Sequence, residues 1–264
     1  MRINRPRVLS VLSVVLALAL FQGSPLAQTS QQSVTVFQYR HVPAANVSDF
    51  LFRETTYWSK VAQKAVDAGK MTFWALLEQV GGHDLQTSPN YLFINTFPDI
   101  DVLGDIFNPA GMFPGVPVES IDTNAISATT ESYFLHLEDT TVAAGAVPAR
   151  DFKYVAINYH NSSDAGEFTA LERQHWMPFI KSTMDRKQTG QVGWTNGYLI
   201  APRNAAVGFN TVSFDLFPSL QKALMPGWAA DVVFPTAGLD ALGKIRTAPM
   251  ATSVYRIIHV VSAN

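Results

Sequence analysis

Cysteine is missing from all 264 residues of the chain. That excludes disulfides, thiolate metal sites and cysteine nucleophiles, and leaves stability to the core alone. Charge is scarce too: 15% of the residues are Asp, Glu, Lys or Arg, and the net charge is −2. No basic stretch is interleaved with aromatics, so nucleic acid is not expected as a partner. Several motifs are absent as well. Without GxSxG, GxxxxGK[ST] or a GxGxxG following a strand, serine-hydrolase, nucleotide-hydrolase and dinucleotide-binding readings fall. Without HExxH or HxH, no metal site is expected.

Hydrophobic residues make up 47% of the chain, which is ordinary for a globular protein and excludes wholesale disorder. One long apolar run exists, VLSVLSVVLALALF at 8–21, and it follows Arg2, Arg5 and Arg7. A basic start and an apolar run of about 14 residues read as a secretory signal peptide over 1–27, cleaved after Ala27. The chain is therefore expected to be exported by a bacterium, to the periplasm or outside the cell, with no membrane contact after cleavage. Asn46-Val47-Ser48 and Asn161-Ser162-Ser163 fit the glycosylation sequon, which is incidental in that setting.

The chain also contains an internal echo. YLFINTFPDIDVL at 91–103 and TVSFDLFPSLQKA at 211–223 each run from an apolar strand into Phe-Pro, and the two Phe-Pro pairs stand 120 residues apart. Tyr39 and Tyr159 keep the same offset, as do Trp74 and Trp194, and Asn95 and Asp215; Trp58 and Trp176 are offset by 118. Such a register predicts a duplicated unit. In the first half, strands are expected at Val34–Arg40, Thr72–Val80, Tyr91–Phe97 and Ser132–Glu138, with a helix over 45–68. A second helix is expected to start at Pro98, with Asp99 and Asp101 near its positive end. Residues 104–130, rich in Gly, Pro, Asn and Ser, read as a long loop. In the second half, strands are expected at 154–160, near 194–201, at 208–217 and at 253–261. Helices are expected over 164–188 and after Pro218. The halves are placed at 33–139 and 152–264, with a linker at 140–151.

The order β-α-β-β-α-β is the ferredoxin-like arrangement. Two such copies resemble the dimeric α/β-barrel superfamily, which includes the antibiotic-biosynthesis monooxygenase, EthD-like and NIPSNAP-like groups. The resemblance implies an α+β fold with two tandem ferredoxin-like units packed sheet to sheet, as a monomer holding an internal pseudo-dimer. The stretch FTALERQHWMPFI at 168–180 is similar to the EthD-like pattern of an aromatic helix carrying His and then Pro, here His175 and Pro178. The first half departs from it, with Tyr57 near the place of the histidine and no proline. The superfamily hosts cofactor-free oxygenation, isomerisation, haem chemistry and plain ligand binding. No cofactor is expected from the residues, while haem stays open.

Two histidines are candidate general bases: His160 at the end of a strand, and His175 on the following helix. A hydrogen-bonded structural histidine is the plainer reading of each. Tyr39, Tyr159, Trp58, Trp176, Trp74 and Trp194 are candidate walls for a small apolar or aromatic ligand, with Asn95 and Asp215 as polar wall groups. Duplicated core aromatics are the bland alternative. Glu78, in the second strand, either points outward or needs a partner. Three readings stay open: an exported binding protein, a cofactor-independent monooxygenase or isomerase using His175 or His160, and a non-catalytic interaction module presenting the 104–130 loop.

Overall fold

A computed structural model describes residues 33–82, 87–106, 109, 111–204 and 206–263. The expected signal peptide at 1–27 lies outside the described residues. Eight strands are described: β1 Val34–His41, β2 Phe73–Gln79, β3 Tyr91–Phe97, β4 Ala128–Val142, β5 Tyr154–His160, β6 Gly193–Ala201, β7 Thr211–Phe217 and β8 Ala251–Ser262. They join in the order β1-β3-β2-β8-β5-β7-β6-β4, and β4 returns to β1 to close a barrel in which every pair is antiparallel.

This overturns the expected pair of ferredoxin-like units packed sheet to sheet. The two four-stranded sets do not stack as separate layers. They are hydrogen-bonded edge to edge, β2 to β8 and β4 to β6, into one closed sheet with a single interior. The physical reason is that each set would otherwise present two rows of unpaired backbone groups, and mutual pairing removes all of them. β4 runs through Val142, so the first residues of the linker-like stretch belong to a strand.

Strand alternation then sorts the side chains. On β1, Phe37 and Tyr39 point into the barrel, where they pack with Leu92, Ile94, Ile157, Val212 and Phe214. Eight strands leave an interior just wide enough for side chains to fill. At its centre the Tyr39 and Tyr159 hydroxyls share a 2.7 Å hydrogen bond. Two buried phenols thus satisfy each other's polar ends.

The outer face carries the helices. The first long helix, 47–67, is α-helical at Val47–Arg53 and Ser59–Asp67, with a π-helical turn at Glu54–Trp58 between them. The second, 165–185, has its π-helical turn at Glu172–Trp176. The helix after Pro98 is short, a tight turn at Ile100–Val102 and then Leu103–Ile106, capped by Asp99. Ser219 caps Leu220–Leu224 in the same way. Pro98 and Pro218 therefore stand one residue before the cap, not in the first turn. A further helix, Thr236–Ile245, was not foreseen. Glu78 is buried, accepting hydrogen bonds from Arg256 Nε at 2.8 Å and from the Tyr91 hydroxyl at 3.1 Å.

Closure leaves little room where β6 meets β4. A Cβ on Gly197 would lie against the His136 carbonyl and 2.9 Å from Leu137 Cα, whereas one on Gly208 would meet nothing within 4 Å. Overpacking against backbone costs about 1–3 kcal/mol. Urea unfolding should show Gly197→Ala destabilised by that amount and Gly208→Ala within about 0.5 kcal/mol of the parent. Equal stability of the two variants would mean that the β4–β6 seam is not tightly closed.

Candidate functional site

A cavity of about 330 Å³ lies between the first long helix and the outer face of β1, β2 and β3. Alternation sends Val36, Gln38 and Arg40 of β1 toward it, with Trp74 of β2 and Phe93 and Asn95 of β3. The π-helical turn supplies Glu54 and Trp58 from above. Thr123 and Asn124, from the irregular stretch before β4, form a further wall. Extra-wide turns of this kind often occur at functional sites.

The aromatic walls enclose a few polar groups. Glu54 is 4% exposed and accepts a 2.8 Å hydrogen bond from Thr123 Oγ1. Burial pushes its carboxyl up to about 7, against the downward pulls of the Thr123 hydrogen bond and the Arg40 charge. Arg40 donates from Nη1 to Ser127 Oγ at 2.8 Å and from Nη2 to Asn124 Oδ1 at 2.7 Å, and its guanidinium lies 5.7 Å over the Phe93 ring. Two buried atoms here have no hydrogen-bond partner among the described residues: Arg40 Nε and Asn95 Oδ1. One is a donor and the other an acceptor, and burial without partners costs each about 1–3 kcal/mol.

The second half presents the equivalent strand positions in the same register. Val36 pairs with Asn95 and Trp74 with Asn95; 120 residues on, Ala156 pairs with Asp215 and Trp194 with Asp215. Here several polar groups bond one another, while His160 Nδ1, Trp194 Nε1 and Thr211 Oγ1 are buried without a partner among the described residues. Asp215 accepts from Asn158 Nδ2 at 2.8 Å and Gln191 Nε2 at 2.7 Å, and burial pushes its carboxyl up to about 6. Glu172, 118 residues after Glu54, accepts from Asn196 Nδ2 at 3.1 Å, and burial pushes it up to about 8. Trp194 is fully buried in a cluster with Ile180, Met184 and Trp176.

The expected site residues therefore divide by location. Trp58, Trp74 and Asn95 come together at the cavity. Tyr39 and Tyr159 lie on the opposite face of the sheet, inside the barrel. Trp176, Trp194 and Asp215 belong to the filled second half. His160 is buried, with Nε2 3.2 Å from Ser213 Oγ and its ring packed on Phe168. Burial, and then the Arg246 charge, lower its pKa to about 4. His175 packs against Gly238, where any Cβ would strike its ring. Neither histidine lines the cavity. A haem iron there would need a ligand such as an imidazole, and no histidine is among the lining residues, so the donor set does not fit that group. Among the described residues no cluster of three or more His, Asp or Glu could hold a metal ion. Sequence reasoning missed Arg40, Glu54 and Thr123. The overlooked signal for Glu54 is its spacing from Glu172, the same 118 as Trp58 to Trp176.

No family model matches the chain, and no curated protein matches it. Solved structures do match in fold. Two proteins described as "putative monooxygenase" superpose well. The one from Lactobacillus acidophilus has TM-score 0.58 at 10% identity, over 88% of this chain and 96% of its own. The one from Fusobacterium nucleatum has TM-score 0.55 at 8% identity, over 87% and 94%. An anthrone oxidase-like protein has TM-score 0.53 at 13% identity, over 89% and 94%. These neighbours are dimeric α+β-barrel proteins, and at such identities the likeness concerns fold alone.

The buried carboxyls make stability depend on pH. In the unfolded chain Glu54 and Glu172 release their protons near 4.5; folded, they keep them to about 7 and about 8. Between those values the folded state binds more protons, so stability falls as pH rises, by up to about 1.4 kcal/mol per pH unit for each group. His160 acts in the opposite sense: its contribution is present above 6.5 and is lost as pH falls through about 4. In urea unfolding at pH 5, 6.5 and 8, Glu172→Gln should lose less stability than the parent across that range. An equally steep fall would show that Glu172 does not hold its proton.

Proposed function

We propose that the chain binds a small aromatic molecule in the cavity of its first half. One observation carries this reading: Arg40 Nε and Asn95 Oδ1 are buried there without partners, between aromatic walls. A flat ligand with one acceptor and one donor would satisfy both, and its rings would lie among Trp58, Trp74 and Phe93.

A second reading follows from Glu54. A carboxyl near neutrality at an enclosed site is suited to accept a proton from a weakly acidic carbon or hydroxyl, and Arg40 would hold the anion left behind. That chemistry suits cofactor-independent oxygenation, and the names of two fold neighbours, an anthrone oxidase-like protein and a putative monooxygenase, are in keeping with oxygen chemistry. Glu54, not His160 or His175, is then the base. The repeated 120-residue register supports descent by tandem duplication, from an ancestor related to the antibiotic-biosynthesis monooxygenase group. A barrel closed within one chain leaves no strand edge for a partner copy, which supports a monomer. The basic start and apolar run at 8–21 support export.

The test uses 2-naphthol as probe, with tryptophan fluorescence as readout. The parent should bind it, and Asn95→Ala should weaken binding about tenfold, equivalent to 1.4 kcal/mol. No binding by the parent, or binding indifferent to Asn95→Ala, would overturn the binding reading. For the enzyme reading, anthrone and O2 should give anthraquinone and water. Glu54→Gln should slow that conversion at least 100-fold while keeping naphthol affinity within about threefold. Conversion unaffected by Glu54→Gln would remove Glu54 as the base.

A further inference from the structure

We propose that residues 119–127 form a strap over this cavity and that Arg53, outside it, is the clasp: a positioning residue for both Arg40 and Glu54. The inference rests on the cavity being the binding site, but its first test does not.

The strap has no ladder bonds to hold it. It lies between Gly115, in the left-handed region at φ 85°, and the start of β4 at Ala128. Side chains of the first long helix and of β1 tie it down. Arg53 Nη1 donates to two strap carbonyls, Glu119 O at 2.7 Å and Asp122 O at 2.5 Å. The other side of the same guanidinium is fixed by Asp49, with Nε at 2.9 Å and Nη2 at 2.6 Å. Trp58 Nε1 donates to Ile121 O at 2.9 Å, between those two carbonyls, and Ile121 is fully buried beneath the strap. Beyond this point the contacts become those of the site itself. Thr123 bonds Glu54, and Asn124 and Ser127 bond Arg40.

Two consequences follow. The strap can lift without breaking any strand pairing, because its anchors are side-chain hydrogen bonds worth about 1 kcal/mol each, apart from the charged ones. Lifting it removes the partners of both charged groups at once. The orientation of Arg40 and the donor to Glu54 are therefore set by a segment that Arg53 holds from outside. An ordinary helix-surface arginine would pair with Asp49 alone; the second hand of this one, on two backbone carbonyls about 70 residues away in sequence, is what marks it as a clasp.

Hydrogen exchange on the full chain without ligand tests the strap. In Arg53→Met, amides of Ser120, Ile121, Asp122 and Ile126 should exchange at least tenfold faster, while those of β5 to β8 keep the parent's rates. Stopped-flow mixing with 2-naphthol should then show association and dissociation both faster by a similar factor, with the equilibrium constant moving less than either. Arg53→Lys, which can still donate to a carbonyl, should recover part of the protection. If Arg53→Met does not fold, Trp58→Phe removes the central anchor and should give the same hydrogen-exchange pattern over 119–127, its naphthol kinetics being left aside because Trp58 is also a cavity wall. Unchanged exchange at 119–127, or faster exchange spread evenly over the barrel, would overturn the proposal. Failure of the parent to bind 2-naphthol would instead strike the binding reading, and the exchange result would still decide the strap.

Discussion

A sheet that closes on itself has two faces and no edge, and the rest of this molecule follows from that constraint. Once β2 pairs with β8 and β4 with β6, every strand residue must face either the barrel interior or the outside, where helices cover part of the sheet. The interior is narrow and fills with Phe37, Ile157, Phe214 and the joined tyrosines. The 330 Å³ cavity lies on the outer face, under a helix, and its floor comes from the outward-facing set: positions 36, 38, 40, 74, 93 and 95 in the first half. Tyr39 and Arg40 are neighbours in sequence, yet one closes the core and the other serves the cavity.

The same floor exists in the second half, in the same register, and is put to a different use. Asn95 becomes Asp215, Gln38 becomes Asn158 and Arg40 becomes His160. The replacements bond one another: Asn158 to Asp215, His160 to Ser213, Gln191 to Asp215. Shorter side chains and local partners join part of this floor into a polar network. A satisfied network rigidifies a core, while an unsatisfied one is costly. The first half bears that cost at Arg40 Nε and Asn95 Oδ1, and the second bears it at His160 Nδ1, Trp194 Nε1 and Thr211 Oγ1; the difference is that the first pair belongs to residues lining the 330 Å³ cavity. Backbone geometry is shared; the chemistry of the two floors is not.

Much of this was legible in the residues and some was not. Strand positions, the two long helices and the repeated register could be read because alternation and helical periodicity are local patterns. Edge pairing could not. Periodicity says which face of β4 is apolar, not that its backbone will bond β6 across the boundary between halves, so sheet-on-sheet packing looked sufficient. The π-helical turns were also hidden, since ETTYW and ERQHW carry no Gly or Pro to mark them. Glu54 was missed for a related reason: a glutamate inside a helix reads as solvent-facing unless something shows that it turns inward. Trp58, Trp74 and Asn95 were found by rarity and repetition, but repetition also brought in Tyr39 and Tyr159, because a constant offset carries no information about which face of a strand is meant.

The two buried glutamates sharpen the difference between halves. Each sits in a π-helical turn, each is 4% exposed, and burial raises the pKa of each. Glu172 faces Asn196, which donates to it at 3.1 Å and also bonds the Thr169 carbonyl. Glu54 faces a cavity, beside a guanidinium whose terminal nitrogens are bonded to the covering segment. A carboxyl held near neutrality has structural value wherever it can donate a hydrogen bond as an acid. It has chemical value only where a second molecule can reach it. The same substitution at the two positions therefore separates the two roles, because only one of them shares a cavity with unpartnered polar atoms. Placing a costly group where packing alone would prefer an apolar one is how a functional site departs from local folding preference. In the first half that departure lines a cavity, under residues 119–127.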